Sequence, residues 1–109
     1  MNVVWHPRAE KEKDKIADYI RWRFGDDRME KFMQEVDETV QMITLNPSAG
    51  FIDPLFAHRA KTYRSVIING LSKMVYYVKG NILHIAAFWD TRREPKNQAR
   101  QTEVPIPPA

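Results

Sequence analysis

YRSVIINGLSKMVYYVKGNILHIAAFWDTRR, residues 63–93, holds three short apolar runs separated by two tight-turn signals, Asn69-Gly70 and Gly80-Asn81. Val, Ile, Tyr, Phe and Trp dominate the runs, the residue types that a pleated, half-buried surface prefers. The pattern predicts a three-stranded antiparallel meander with strands near residues 62–68, 71–79 and 82–90. Its last run discharges into Asp90, Arg92 and Arg93, a basic exit.

Upstream of the meander the period changes from two to that of a helix. Asn2 to Trp5 is a short strand candidate closed by His6-Pro7, and proline suits the first turn of a helix, where its missing N–H would be unpaired anyway. Residues 8–24 then place Ala9, Ile16, Ile20 and Phe24 at intervals of 7, 4 and 4. Gly25 reads as the stop, and Asp26 or Asp27 as the cap of a second helix whose positive N-terminal end either would favour. That helix carries one apolar stripe, Met29, Phe32, Met33, Val36, Val40 and Ile43, and Asn46-Pro47 ends it.

The order is therefore β-α-α-β-β-β. It predicts an α+β fold in which a helical hairpin packs on one face of a four-stranded, mostly antiparallel sheet. The neighbour of the N-terminal strand is left open. The connection over residues 48–61, with Gly50 and Pro54, is long enough to be packed down or functional. The opposite sheet face, this loop and the basic exit remain for function.

A chain of 109 residues is one domain. No apolar run approaches the ~20 residues of a membrane span, and the first residues lack a signal-peptide core, so a cytoplasmic protein without membrane contact is expected. The absence of cysteine excludes disulfides, thiolate metal sites and cysteine nucleophiles. Scattered histidines and only four glycines point to neither a metal nor a phosphate loop, and no cofactor is expected. The net charge of +3 conceals an asymmetry: residues 1–56 carry 8 Lys/Arg against 11 Asp/Glu, and residues 57–109 carry 9 against 3. The sheet half is basic and would favour an acidic or polyanionic partner.

Four segments, RFGDDRMEKFMQEVDETVQMITLNPSAG, YRSVI, KMVYYV and ILHIAAFWDTRREP, resemble in order and spacing the RelE/ParE superfamily of toxins from type II toxin–antitoxin systems. The helix–Asn-Pro–Gly–Tyr-Arg spacing is closer to the ParE (plasmid stabilisation) branch. The resemblance spans residues 1–96 as a toxin domain and leaves 97–109 as a Pro-rich, extended or disordered tail. It implies growth inhibition by binding DNA gyrase, with neutralisation by a cognate antitoxin in a toxin–antitoxin hetero-oligomer. The alternative it implies is a ribosome-dependent, metal-independent mRNA endoribonuclease of RelE type.

Metal-free RNA cleavage needs a group to activate the 2′-hydroxyl, a cation for the phosphorane charge and an acid for the leaving oxygen. By the resemblance, Lys73 stands where RelE-type members have an arginine, Arg93 matches a RelE-type arginine, and Arg64 falls where those members carry a lysine. A nuclease would use Arg64, Lys73 and Arg93. No tyrosine follows Tyr77, however, so the C-terminal tyrosine of RelE-like members has no counterpart. The residues expected to meet the partner or target are Arg64, Lys73, Tyr77, Trp89, Arg92 and Arg93. His84 and Glu94 match the Glu/His pair of other ribonuclease branches only in residue type. His84 reads as a strand residue, His6 as a helix-entry residue and His58 as a loop residue. Tyr76 and Tyr77 alternate across the sheet, one in the core and one facing out. Trp5, Trp22 and Trp89 read as packing residues, with Trp89 also placed to stack on a base or an apolar anchor.

Overall fold

A computed structural model describes residues 1–91, so Arg92, Arg93, Glu94 and the 97–109 tail lie outside the described residues. The chain runs β1 (Asn2–Trp5), α1 (Pro7–Phe24), α2 (Asp26–Leu45), β2 (Phe51–Ile52), a 3-10 turn (Pro54–Phe56), β3 (Arg64–Ile68), β4 (Ser72–Lys79) and β5 (Ile82–Asp90). The sheet has five strands in the order β1-β5-β4-β3-β2, not the expected four. The additional strand, β2, is two residues long and pairs antiparallel with β3 through Phe51↔Ser65 and Ile52↔Arg64. Two residues are too few to show any period, so in sequence this strand reads as loop. β1 is the other edge, and it runs parallel to β5 from Asn2↔Ile82 to Trp5↔Ile85.

Local chemistry explains the meander. Asn69 and Gly70 take left-handed φ values of 53° and 69° in the three-residue connection between the paired Ile68 and Ser72, and Gly80 takes 63° in the two-residue turn between Lys79 and Ile82. α1 stops at Gly25, with φ 99°. Gly25 also takes the N-cap place of α2 in lieu of Asp26 or Asp27, which fall inside the first turn, where their charge still favours the helix end. Asp26 instead accepts a hydrogen bond from Arg21 Nε at 3.2 Å.

The helices cover one sheet face. Phe32, Val36 and Ile43 of α2 and Ala9 and Ala17 of α1 bury against Ile68, Met74, Tyr76, Leu83, Ile85 and Phe88. Phe24, read as part of the α1 stripe, is instead 51% exposed, and Trp22 is 79% exposed. Trp22 is off the buried stripe and meets the outward Tyr19, at 6.2 Å between rings.

One irregularity decides what each face of β5 carries. Val75 pairs with Ala87 but Tyr76 pairs with Ile85, so Ala86 is an extra residue in β5. A bulge shifts the side-chain phase by one. Ile85 and Phe88 consequently both face the helices, while Ala87 and Trp89 face away.

Tyr76 joins the helix-side core to the chain after α2. Its hydroxyl donates to the Pro47 carbonyl at 2.7 Å and accepts from the Gly50 amide at 2.9 Å. A Cβ on Gly50 would lie 2.7 Å from that hydroxyl and 2.8 Å from the Ser65 carbonyl, so the position has no room for a side chain. Tyr76→Phe leaves both backbone groups without their partner and is expected to cost about 1–3 kcal/mol in urea unfolding. A loss below about 0.5 kcal/mol would mean that water replaces the hydroxyl.

Candidate functional site: the covered sheet face

The sheet face away from the helices is not open. The segment between β2 and β3 folds back across it, and Phe56, Tyr63, Val75, Tyr77, Ala87 and Trp89 form a second buried cluster. Phe56 stacks on Tyr63 at 5.0 Å and on Trp89 at 6.1 Å. β4 is therefore buried on both faces. Tyr76 is core, as one of the pair had to be, but Tyr77 is also covered rather than facing solvent, at 8% exposure.

A buried ion pair ties this segment to the sheet. Asp53 begins the 3-10 turn, where its Oδ1 accepts the Leu55 amide at 3.0 Å and Pro54 supplies the first helical position. Its Oδ2 lies 2.7 Å from Lys73 Nζ and accepts from Ser65 Oγ at 2.6 Å. Burial alone would raise the Asp53 carboxyl. Hydrogen bonds from Lys73, Ser65 and the Leu55 amide, with the Lys73 charge, nevertheless hold it below the usual carboxylate range. Lys73 Nζ also lies 5.0 Å from the Trp89 ring centroid.

Lys73, Tyr77 and Trp89 thus share one face, as the alternation and the bulge arrange. Arg64 does not join them. It pairs across the strands with Tyr76, and its Nη1 donates to the Gly50 carbonyl at 2.9 Å and to the Ser48 carbonyl at 3.5 Å. The arginine and Tyr76 pin the same stretch of chain. Arg92 and Arg93 lie outside the described residues.

Sequence reasoning did not find Asp53, Ser65 or the contact of His6 with His84. Asp53-Pro54 is a helix-start pair and could have announced its cap. The pairing with Lys73 joins residues distant in sequence and leaves no local trace. Chemically, the face offers an ammonium already neutralised and phenols that burial holds in the protonated form, Tyr77 with Tyr63 adding to its shift.

An open surface lies across the helical hairpin. A groove of about 880 Å³ runs between it and the β3–β4 turn, floored by Ile16, Ile20 and Phe32 and flanked by Tyr19, Phe24 and Leu71. Trp22 extends its apolar rim through Tyr19. Among the described residues no group of His, Cys, Asp and Glu could hold a metal, and no helix is long and apolar enough to cross a membrane.

The fold recurs in solved structures. A chain of the chromosomal ParDE TA system from P. aeruginosa superposes with a TM-score of 0.67 at 20% identity, over 83% of this chain and 95% of that one. The YoeB dimer from Staphylococcus aureus gives a TM-score of 0.50 at 21% identity, over 80% of this chain and 92% of that one. A comparison with curated proteins found no match. The family described as the ParE toxin of the type II toxin–antitoxin system, parDE, matches residues 3–95. The chain belongs to the ParE toxins of type II toxin–antitoxin systems.

Proposed function

We propose that this toxin arrests growth by binding DNA gyrase in the cytoplasm, and that a cognate antitoxin holds it inactive in a hetero-oligomeric complex. The observation that carries the gyrase reading over a nuclease is the state of Lys73. Its ammonium is 2.7 Å from Asp53, with a side chain only 10% exposed, so it is committed to an internal partner and not presented to a scissile phosphate. Arg64, the second candidate for RNA cleavage, is bound to main-chain carbonyls on another part of the surface. A RelE-type reaction also asks for a C-terminal tyrosine that this chain lacks. With Lys73, Tyr77 and Trp89 packed inward, contact with the target falls to Arg92, Arg93 and the exposed rim of Arg64. Residues 1–96 form the toxin domain in this reading, and 97–109 an extension of it.

The antitoxin is assigned the hairpin groove. Tyr19, Trp22 and Phe24 are 46%, 79% and 51% exposed, a contiguous apolar surface of the kind that marks a protein interface.

Expression from a tightly controlled promoter, with an SOS reporter beside a translation reporter, tests the target. Arrest is expected with the SOS response rising first and isolated translation unaffected. Translation failing first, with mRNA cut only when ribosomes are present, would replace this reading by the ribonuclease one.

A further inference from the structure

At the end of the sheet where β1 runs into α1, three nitrogen-bearing side chains gather around the ring of Tyr77. His6 follows β1 and is held there by its amide, which donates to the Ile85 carbonyl at 2.9 Å. Its Nε2 lies 3.1 Å from Nδ1 of His84 on β5. The His84 ring stacks on Tyr77 at 4.7 Å with an interplanar angle of 7°, and His6 meets Tyr77 edge-on at 5.9 Å. Lys61, from the segment that covers the sheet face, places Nζ 5.2 Å from the Tyr77 centroid. Both imidazoles are half-buried and Lys61 is exposed, so solvent reaches all three.

Charge is what sets this cluster apart. Lys73, a few residues earlier on β4, has Asp53 as its counter-ion. Among the described residues no carboxylate pairs with His6, His84 or Lys61. The N–H···N bond between the imidazoles requires one of the facing nitrogens to be unprotonated, and a second proton would set two cations 3.1 Å apart. Burial, His84 and Lys61 together hold His6 below the ordinary imidazole value. The groups facing His6 are then another imidazole, an ammonium and the protonated phenol of Tyr77, and none of them is negatively charged.

A tetrahedral dianion supplies that charge and accepts hydrogen bonds from several donors at once. We propose that His6, His84 and Lys61 form an oxyanion site for a phosphate group, whose binding carries one proton onto the histidine pair. This goes beyond the gyrase reading and does not depend on it. The proton comes from solvent, one imidazole becomes imidazolium, and its charge together with that of Lys61 balances the dianion.

The test follows the imidazole Cε1–H resonances by NMR. The intact chain is titrated with sodium sulfate, a dianion that does not itself titrate in this range, then with inorganic phosphate, each against sodium chloride at matched ionic strength. Both histidines are expected to shift saturably with sulfate and phosphate. Affinity for sulfate should rise by up to about tenfold per pH unit as the pH falls, because one proton is taken up with the dianion. Lys61→Ala, at an exposed position, should keep the fold and weaken binding by about fivefold or more. The double variant His6→Gln/His84→Gln removes both imidazoles and should bind weakly and with no pH dependence, a result that lost packing alone does not produce. Shifts that sodium chloride reproduces, or a saturable shift indifferent to pH and to Lys61→Ala, would overturn the proposal.

Discussion

Asp53→Ala is expected to destabilise the protein by about 3–5 kcal/mol, because it strands the Lys73 ammonium in a site from which water is excluded. The same change removes the acceptor of the Ser65 hydroxyl and the cap of the Leu55 amide. Lys73→Met should cost a similar amount by leaving the Asp53 carboxylate buried and alone. The double variant Asp53→Ala/Lys73→Met is expected to lose far less than the sum of the two, since neither charge is then stranded. Urea unfolding of the four proteins measures this cycle. A loss of less than about 1 kcal/mol for Asp53→Ala, or strict additivity, would show that the pair is solvated and does not hold the covering segment down. Against a total of about 5–15 kcal/mol for a domain, the expected loss populates the unfolded chain appreciably.

The same pair fixes an acid limit to stability. The Asp53 carboxyl titrates lower in the folded protein than in the unfolded chain. Its contribution is therefore fully present above the unfolded value of about 3.9, and it is lost as the pH falls through the folded value. Acid unfolding of the wild type should steepen below about pH 4. Asp53→Asn, less stable throughout, should show a shallower dependence there.

What the sequence discloses is whatever its neighbours in the chain decide. The Asn69-Gly70 turn is legible because left-handed backbone is written in those two residue types. The α2 stripe is legible because Phe32, Val36 and Ile43 repeat with the helical period, and all three are buried. The family follows from these elements in order. Long-range geometry is not legible. Tyr77 cannot be told from an exposed strand residue, because what covers it is a loop with no period. Arg64 is bound by carbonyls, and a carbonyl carries no residue identity. Asp53 meets Lys73 across a separation in sequence that leaves no local pattern. Trp22 and Phe24 read inward in sequence because aromatic residues usually are, yet the sheet does not reach them.

The bulge at Ala86 is the least legible of these features, and it bears on the second large effect. Strict alternation from Leu83 and Ile85 would send Ala87 and Trp89 to the helices and Phe88 to the other face. The extra residue reverses the last three positions, so Phe88 is 1% exposed and lies 6.1 Å from both the Phe32 and Trp5 rings. Phe88→Ala opens a cavity where β1, α2 and β5 meet and is expected to cost about 3–5 kcal/mol. Trp89→Ala should instead loosen the segment over the opposite face, where Trp89 touches Phe56 and Lys73, and expose Tyr77 and Tyr63 to faster hydrogen exchange and protease cleavage nearby. The two variants therefore separate the faces. Phe88→Ala lowers the global unfolding free energy and leaves the Asp53–Lys73 coupling intact, whereas Trp89→Ala weakens that coupling. If Phe88→Ala costs under about 1 kcal/mol while Trp89→Ala collapses the helix-side core, the phase of β5 is the unbulged one. Lys73 would then lack the aromatic floor that Trp89 gives it, and the Asp53 carboxylate alone would hold its ammonium.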